Sequence, residues 1–180
     1  MKFSEWEKSV PEVIQADVLW KMKVYRLALF LSDICWNDVS SLVGDQRTKT
    51  LSNQLYRAVG SIAANIEEGY SKQSGKDRSR FYEYALASAR ESRGWYYRGR
   101  HVLGDKVFEH RAWLLTEIIK MLLSIVPAER NLKLCEEATA YTGHSLLDDE
   151  VPFSNTQYEV SSTDDETTTY DSVLSLEEQP

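Results

Sequence analysis

Cysteine is scarce in this chain: of 180 residues only Cys35 and Cys135 are cysteines, a hundred positions apart and outside any Cys-x-x-Cys pair. That argues against a disulfide framework and fits a reducing cytoplasm. Histidine is equally sparse, and His101, His110 and His144 lack the i,i+4 or H-E-x-x-H spacing of a metal site. His101 and His110 read as helix-end or surface residues. No Walker loop, no G-x-G-x-x-G and no paired nucleophile and base occur, so the chain offers no catalytic residues and calls for no cofactor or metal. The best apolar stretch, AWLLTEIIKMLLSIV, is broken by Glu117 and Lys120, and MKFSEWEKSVPEV carries charges where a secretory segment needs apolar residues. Neither a membrane span nor an export signal is expected.

Basic residues are absent from the last forty positions. All 21 Lys and Arg precede residue 141, alongside 18 Asp and Glu, a body charge of +3; residues 141–180 carry ten acidic groups and no basic one. The polar, acidic end, with DDE, SSTDDETTT and SLEEQP, cannot easily offset its own ordering entropy and reads as a mostly disordered tail. SVLSLEEQP is the one place where its apolar residues, Val173, Leu174 and Leu176, could dock.

Four helical patterns precede the tail. Trp20, Val24, Leu27, Leu31 and Ile34 form one stripe, within a helix from about Ala16 to Trp36, and NDVSSLVGDQRTKT after it favours turns. Leu51, Leu55, Val59, Ile62 and Ile66 mark a second helix, about Thr50 to Glu68, stopped at Gly69. A third runs from about Lys76 to His101, with Phe81, Ser88, Ser92, Trp95 and Gly99 as its core side. Val107 or Phe108, Ala112, Leu115, Ile118 or Ile119, Leu122 and Ile125 form a fourth stripe, begun at Asp105 and closed by Pro127. The expected architecture is all-α: an antiparallel up-and-down four-helix bundle over 16–127, an extension at 1–15, room for a short extra helix at 128–141, and the acidic disordered tail at 142–180.

Two surfaces stand out. Tyr82, Leu86, Arg90, Arg93, Tyr97 and Arg100 share one side of the third helix, and Arg78, Arg80 and Arg98 add charge. Residues 47–111 hold 13 basic and 7 acidic groups, a local +6 in an acidic protein. Guanidinium groups fork onto phosphates, and tyrosine rings stack on unpaired bases, so Arg78, Arg80, Arg90, Arg93, Tyr97, Arg98 and Arg100 are candidate RNA contacts. The alternative is a solvated helix face. Gln54, Arg57, Ser61, Asn65 and Glu68 form a polar ladder on the second helix, suited to bonding a neighbouring helix or another subunit. Glu67 and Glu68, at a helix C-terminus, call for at least one cationic partner. Five Trp and ten Tyr are many for a small bundle and suggest burial against another copy.

The ladder also carries a resemblance. Gln54, Leu55, Arg57, Ala58, Ser61, Ile62, Asn65, Ile66, Glu68 and Gly69 match Q-L-x-R-A-x-x-S-I-x-x-N-I-A-E-G, and Phe81, Ala85, Ser88 and Glu91 match F-x-x-x-A-x-G-S-x-x-E, with Ala87 where glycine is frequent. This resembles the bacterial four-helix bundle family first noticed as proteins encoded in intervening sequences of large-subunit ribosomal RNA genes, over about Asp17 to Val126. The resemblance implies a ring-like homopentamer and kinship with the accessory variability proteins of diversity-generating retroelements, non-enzymatic partners of template RNA and a reverse transcriptase. Such relatives are usually shorter and more basic than this chain. The competing expectation is a protein-interaction scaffold whose arginines pair between subunits and whose tail recruits a partner.

Overall fold

The computed structural model describes residues 2–130, and every regular element among them is helical. Two short helices, α1 (Phe3–Ser9) and α2 (Glu12–Gln15), and a 3-10 turn at Val18–Lys21 lead into four long ones: α3 (Lys23–Val43), α4 (Lys49–Tyr70), α5 (Gly75–Leu103) and α6 (Asp105–Arg130). Each long helix packs on the next, and α3 also meets α5 and α6. The core follows the stripes read from the sequence: Val24, Leu27, Leu31 and Ile34 on α3, Leu55, Val59, Ile62 and Ile66 on α4, and Val107, Leu115, Ile118, Ile119 and Leu122 on α6 are all buried.

Residues 2–15, within the expected extension at 1–15, pack on the long helices. Phe3 and Trp6, one turn apart on α1, are buried, with their ring centroids each 5.3 Å from Phe30 of α3. Trp6 Nε1 donates to Asp33 at 2.5 Å, and Arg26 pairs with Glu7 at 3.3 Å. A single apolar pair is too short to register as a helical stripe, which is why the sequence pattern passed over it.

The first long helix starts later and ends later than expected, absorbing the turn-like residues up to Val43. Ser40 and Ser41 donate their hydroxyls to the carbonyls of Trp36 and Asn37, so they back-bond within the helix rather than break it. Pro127 does not close α6, which continues to Arg130. The remainder of the expected extra helix and the acidic tail lie outside the described residues.

Gly69 does not end its helix in a left-handed turn either. It is helical and buried, and a Cβ there would stand 2.7 Å from Cε1 of Tyr82 and 3.0 Å from Cβ of Phe81, so its role is close approach of α4 to α5. The left-handed glycine is Gly104, at φ 86°, where α5 turns into α6.

Gly69→Ala should therefore destabilise the fold by about 1–3 kcal/mol through overpacking. Trp6→Ala should cost about 3–5 kcal/mol if α1 is part of the core. Urea unfolding followed by circular dichroism reads both; a near-silent Trp6→Ala would mean that α1 is only loosely attached.

Candidate functional site

At 1.5 Å per residue the basic helix α5 is about 43 Å long, and its true core side differs from the expected one. Tyr82, Ala85, Leu86, Ala89, Ser92, Tyr96, Gly99 and Leu103 are buried, whereas Phe81, Ser88 and Trp95 are half-buried. The expected core side was centred too far round the helix. Tyr82 and Leu86, read as part of the basic side, pack inward because neighbours cover α5 on both flanks, α4 and α6.

That rotation divides the predicted arginines. Arg80, Tyr84, Glu91 and Arg98 run along the outward line of the helix and are exposed; Arg80 Nε donates to the Tyr84 hydroxyl at 2.9 Å, and the Arg98 guanidinium lies 4.6 Å over the Trp95 ring. A second strip, Arg90, Arg93, Tyr97 and Arg100, borders α6. Arg93 reaches Thr116 at 3.4 Å, Tyr97 packs edge-on against Phe108, and the Arg100 guanidinium sits 3.9 Å from the Tyr97 ring centroid while donating to the Tyr97 carbonyl. Stacked this way, each guanidinium keeps part of its donor fork toward solvent, the geometry in which arginine meets phosphates and bases. Arg78 belongs to neither strip. It pairs with Glu129 at 2.8 Å and donates to the carbonyls of Lys72 and Gln73, tying the α4–α5 turn to the end of α6.

The α4 ladder faces outward. Gln54, Arg57 and Glu68 are exposed and Ser61 and Asn65 half-buried. Asn65 donates to the Ser61 carbonyl at 2.7 Å, and Lys72 supplies the expected cation, 3.1 Å from Glu68; both bonds stay within α4 and the turn after it. Glu67 accepts from the Tyr25 hydroxyl instead. Elsewhere on α4, Tyr56 is 46% exposed and packs edge to face on Trp36 of α3, itself 63% exposed.

A polar cluster in the core was not anticipated. Arg111 and Asp38, both fully buried, form a two-pronged ion pair: Arg111 Nε donates to Asp38 Oδ2 at 2.8 Å and Nη2 to Oδ1 at 2.9 Å. The Tyr96 hydroxyl donates to the same Oδ2 at 2.9 Å. Burial works against the Arg111 charge, but its bonds to Asp38 and the carboxylate's field outweigh it and raise the pKa. Burial, then the Asp38 charge, pushes Tyr96 well above its ordinary value. Burial likewise pushes the Cys35 thiol up to about 12, which leaves it protonated and poorly nucleophilic at neutral pH.

His110 is not a surface residue. It is 4% exposed, and its Nδ1 accepts from Arg111 Nη1 at 2.9 Å. Because arginine can only donate, the ring is neutral with its proton on Nε2, an atom buried without a partner among the described residues. Burial, followed by the Arg111 charge, lowers its pKa to about 4. The cluster therefore has the chemistry of a structural lock. Among the described residues no group of three His, Cys, Asp or Glu side chains is placed to hold a metal ion, and no helix is long and apolar enough to cross a membrane.

An all-α protein with an ion-paired core and an arginine and aromatic surface is what these helices define. Residues 20–124 match the family described as 23S rRNA-intervening sequence protein, and the chain belongs to that family. A solved structure at 1.70 Å of a protein of unknown function from the S23 ribosomal protein family of Bacteroides thetaiotaomicron is similar, at 30% identity and a TM-score of 0.54, over 57% of this chain and 97% of the other. No curated protein matches the chain.

Asp38→Ala should destabilise by about 3–5 kcal/mol, since it strands a buried guanidinium, whereas Tyr96→Phe, which loses one bond, should cost about 1–2 kcal/mol. Chemical denaturation orders the two. Acid should weaken the fold through His110: between pH 6.5 and about 4 the unfolded chain takes up a proton that the folded chain refuses, so stability falls as pH falls. The contribution is about 3 kcal/mol across that window, and His110→Gln, which still offers Arg111 an acceptor, should flatten the slope by that amount.

Proposed function

We propose that the chain is a non-enzymatic adaptor of the cytoplasm, an up-and-down four-helix bundle that assembles as a homopentamer and binds RNA or an RNA–protein complex, with a reverse transcriptase of a diversity-generating retroelement as one such partner. The observation that carries this reading is the arginine and aromatic surface of α5, where Arg98 stacks on Trp95 and Arg100 on Tyr97. Its setting is a local excess of positive charge in a family named for ribosomal RNA intervening sequences. Stacked arginines are pre-organised: less side-chain freedom is lost when they meet a phosphate, and the rings beside them offer faces to unpaired bases. Arg90 and Arg93 extend the surface toward α6, and Arg80 extends it along the outward line.

Self-association is assigned to a different face. Trp36 and Tyr56, exposed together and packed on each other between α3 and α4, are residue types enriched at subunit contacts. The same pair favours the second reading, a protein-interaction scaffold without nucleic acid, in which the arginines serve assembly and the acidic tail recruits the partner.

The two readings separate in one titration. Binding of single-stranded poly(U) and of a structured ribosomal RNA fragment is measured against salt, with mass by light scattering on the same samples. An RNA adaptor loses affinity steeply as salt rises, and charge reversal of Arg98 and Arg100 lowers affinity at least tenfold and the salt slope by about two, roughly one per lost phosphate contact. Absent or salt-insensitive binding by an intact oligomer would leave the scaffold reading.

A further inference from the structure

At one end of the molecule the helices leave a cleft with apolar and charged walls. A depression of about 700 Å³ is bounded by Met22 before α3, Tyr70 at the end of α4, Arg78 and Tyr82 near the start of α5, and Ile125 and Glu129 near the end of α6. A neighbouring hollow of about 300 Å³ shares Met22, Ser124 and Ile125 with it and adds Lys23, Val24 and Met121. Together they make one groove, floored by methionine, tyrosine and isoleucine side chains.

The groove's charge selects among occupants. Three ionisable side chains with full charges line it: Glu129 is neutralised by Arg78 at 2.8 Å, whereas Lys23 is exposed and makes no ion pair among the described residues. An apolar segment followed by acidic residues therefore suits it. The chain itself supplies one: α6 is described as far as Arg130, directly after the groove residue Glu129, and fifty further residues follow in the sequence.

We propose that Leu146 and Leu147, in the segment SLLDDE, fold back into this groove and set Asp148, Asp149 and Glu150 against Lys23. Sixteen residues separate Arg130 from Leu146, a reach of up to about 50 Å, so the tether is ample for a site within one helical turn of its anchor. Linkage through the chain gives this contact an effective concentration on the order of millimolar, which lets a small apolar contact be populated. Leu132 and Leu134 are closer and precede Glu136 and Glu137, but Lys133 between them brings a charge of the same sign as Lys23. The distal segment around Val173 and Leu174, the docking place expected from the sequence, has the same chemistry but closes a much longer loop at a larger entropic cost, so the proposal departs from that expectation. This docking does not depend on the RNA reading.

Methionine methyl groups test it directly, because the chain has three methionines and two of them, Met22 and Met121, line the groove. The full-length protein, labelled with carbon-13 at its methionine methyls, is compared with L146D/L147D and with the distal control V173D/L174D. Both pairs lie outside the described helices, and circular dichroism checks that helicity is retained. The proposal expects the Met22 and Met121 resonances to move in L146D/L147D, to stay in V173D/L174D, and to be independent of protein concentration in the unaltered chain. It is overturned if L146D/L147D leaves them in place or if the distal pair moves them instead. Groove resonances of the unaltered chain that shift on dilution would also overturn it, since a second copy would then be the occupant.

Discussion

The Asp38–Arg111 pair is the constraint around which the helices are arranged. Both groups are fully buried, and a guanidinium in such a place is tolerable only if its partner arrives in register. Asp38 comes from the C-terminal third of α3, Arg111 from the second turn of α6, and Tyr96 from α5 closes the set. One misplaced helix would leave a charge stranded, so the pair specifies alignment more than it adds net stability. Apolar stripes make the helices associate, and the ion pair selects one of the several registers those stripes would accept.

That register determines what remains outside. With Tyr96 held inward, Tyr97 and Arg98 emerge on the surface of α5, each beside a ring or guanidinium that fixes it. An acidic protein thereby presents a basic helix on which Arg98 stacks on Trp95 and Arg100 on Tyr97. The surface of α4 is different in kind, with Gln54, Arg57 and small residues along one line and Tyr56, packed on Trp36 of α3, along another. These are two chemically distinct faces on adjacent helices of one fold.

Much of the fold was legible because long helices repeat their signal. Five stripe residues of α6 and four each of α3 and α4 are in the core as the spacing predicts. The errors lie where local preference and tertiary context disagree. Ser40, Ser41 and Pro127 look like helix breakers, yet neighbouring turns and packing carry the helices through them. The facing of α5 was misjudged because small residues and aromatics occur all round it, so periodicity alone could not orient it, and Arg78 proved to be a structural tie. The buried cluster did leave a trace: Asp38 follows Ile34 by four positions and Arg111 precedes Leu115 by four, which places opposite charges on two apolar stripes. A charge in line with core residues needs a partner, and two of opposite sign suggest each other.

The central claim is that RNA meets the protein on α5, and ultraviolet crosslinking of bound RNA followed by mass spectrometry of the peptides tests it most directly. Crosslinks should concentrate on residues 91–100, at Trp95 and Tyr97, and leave Trp36 and Tyr56 unmodified. Crosslinks confined to Trp36 and Tyr56, or none anywhere, would contradict the account.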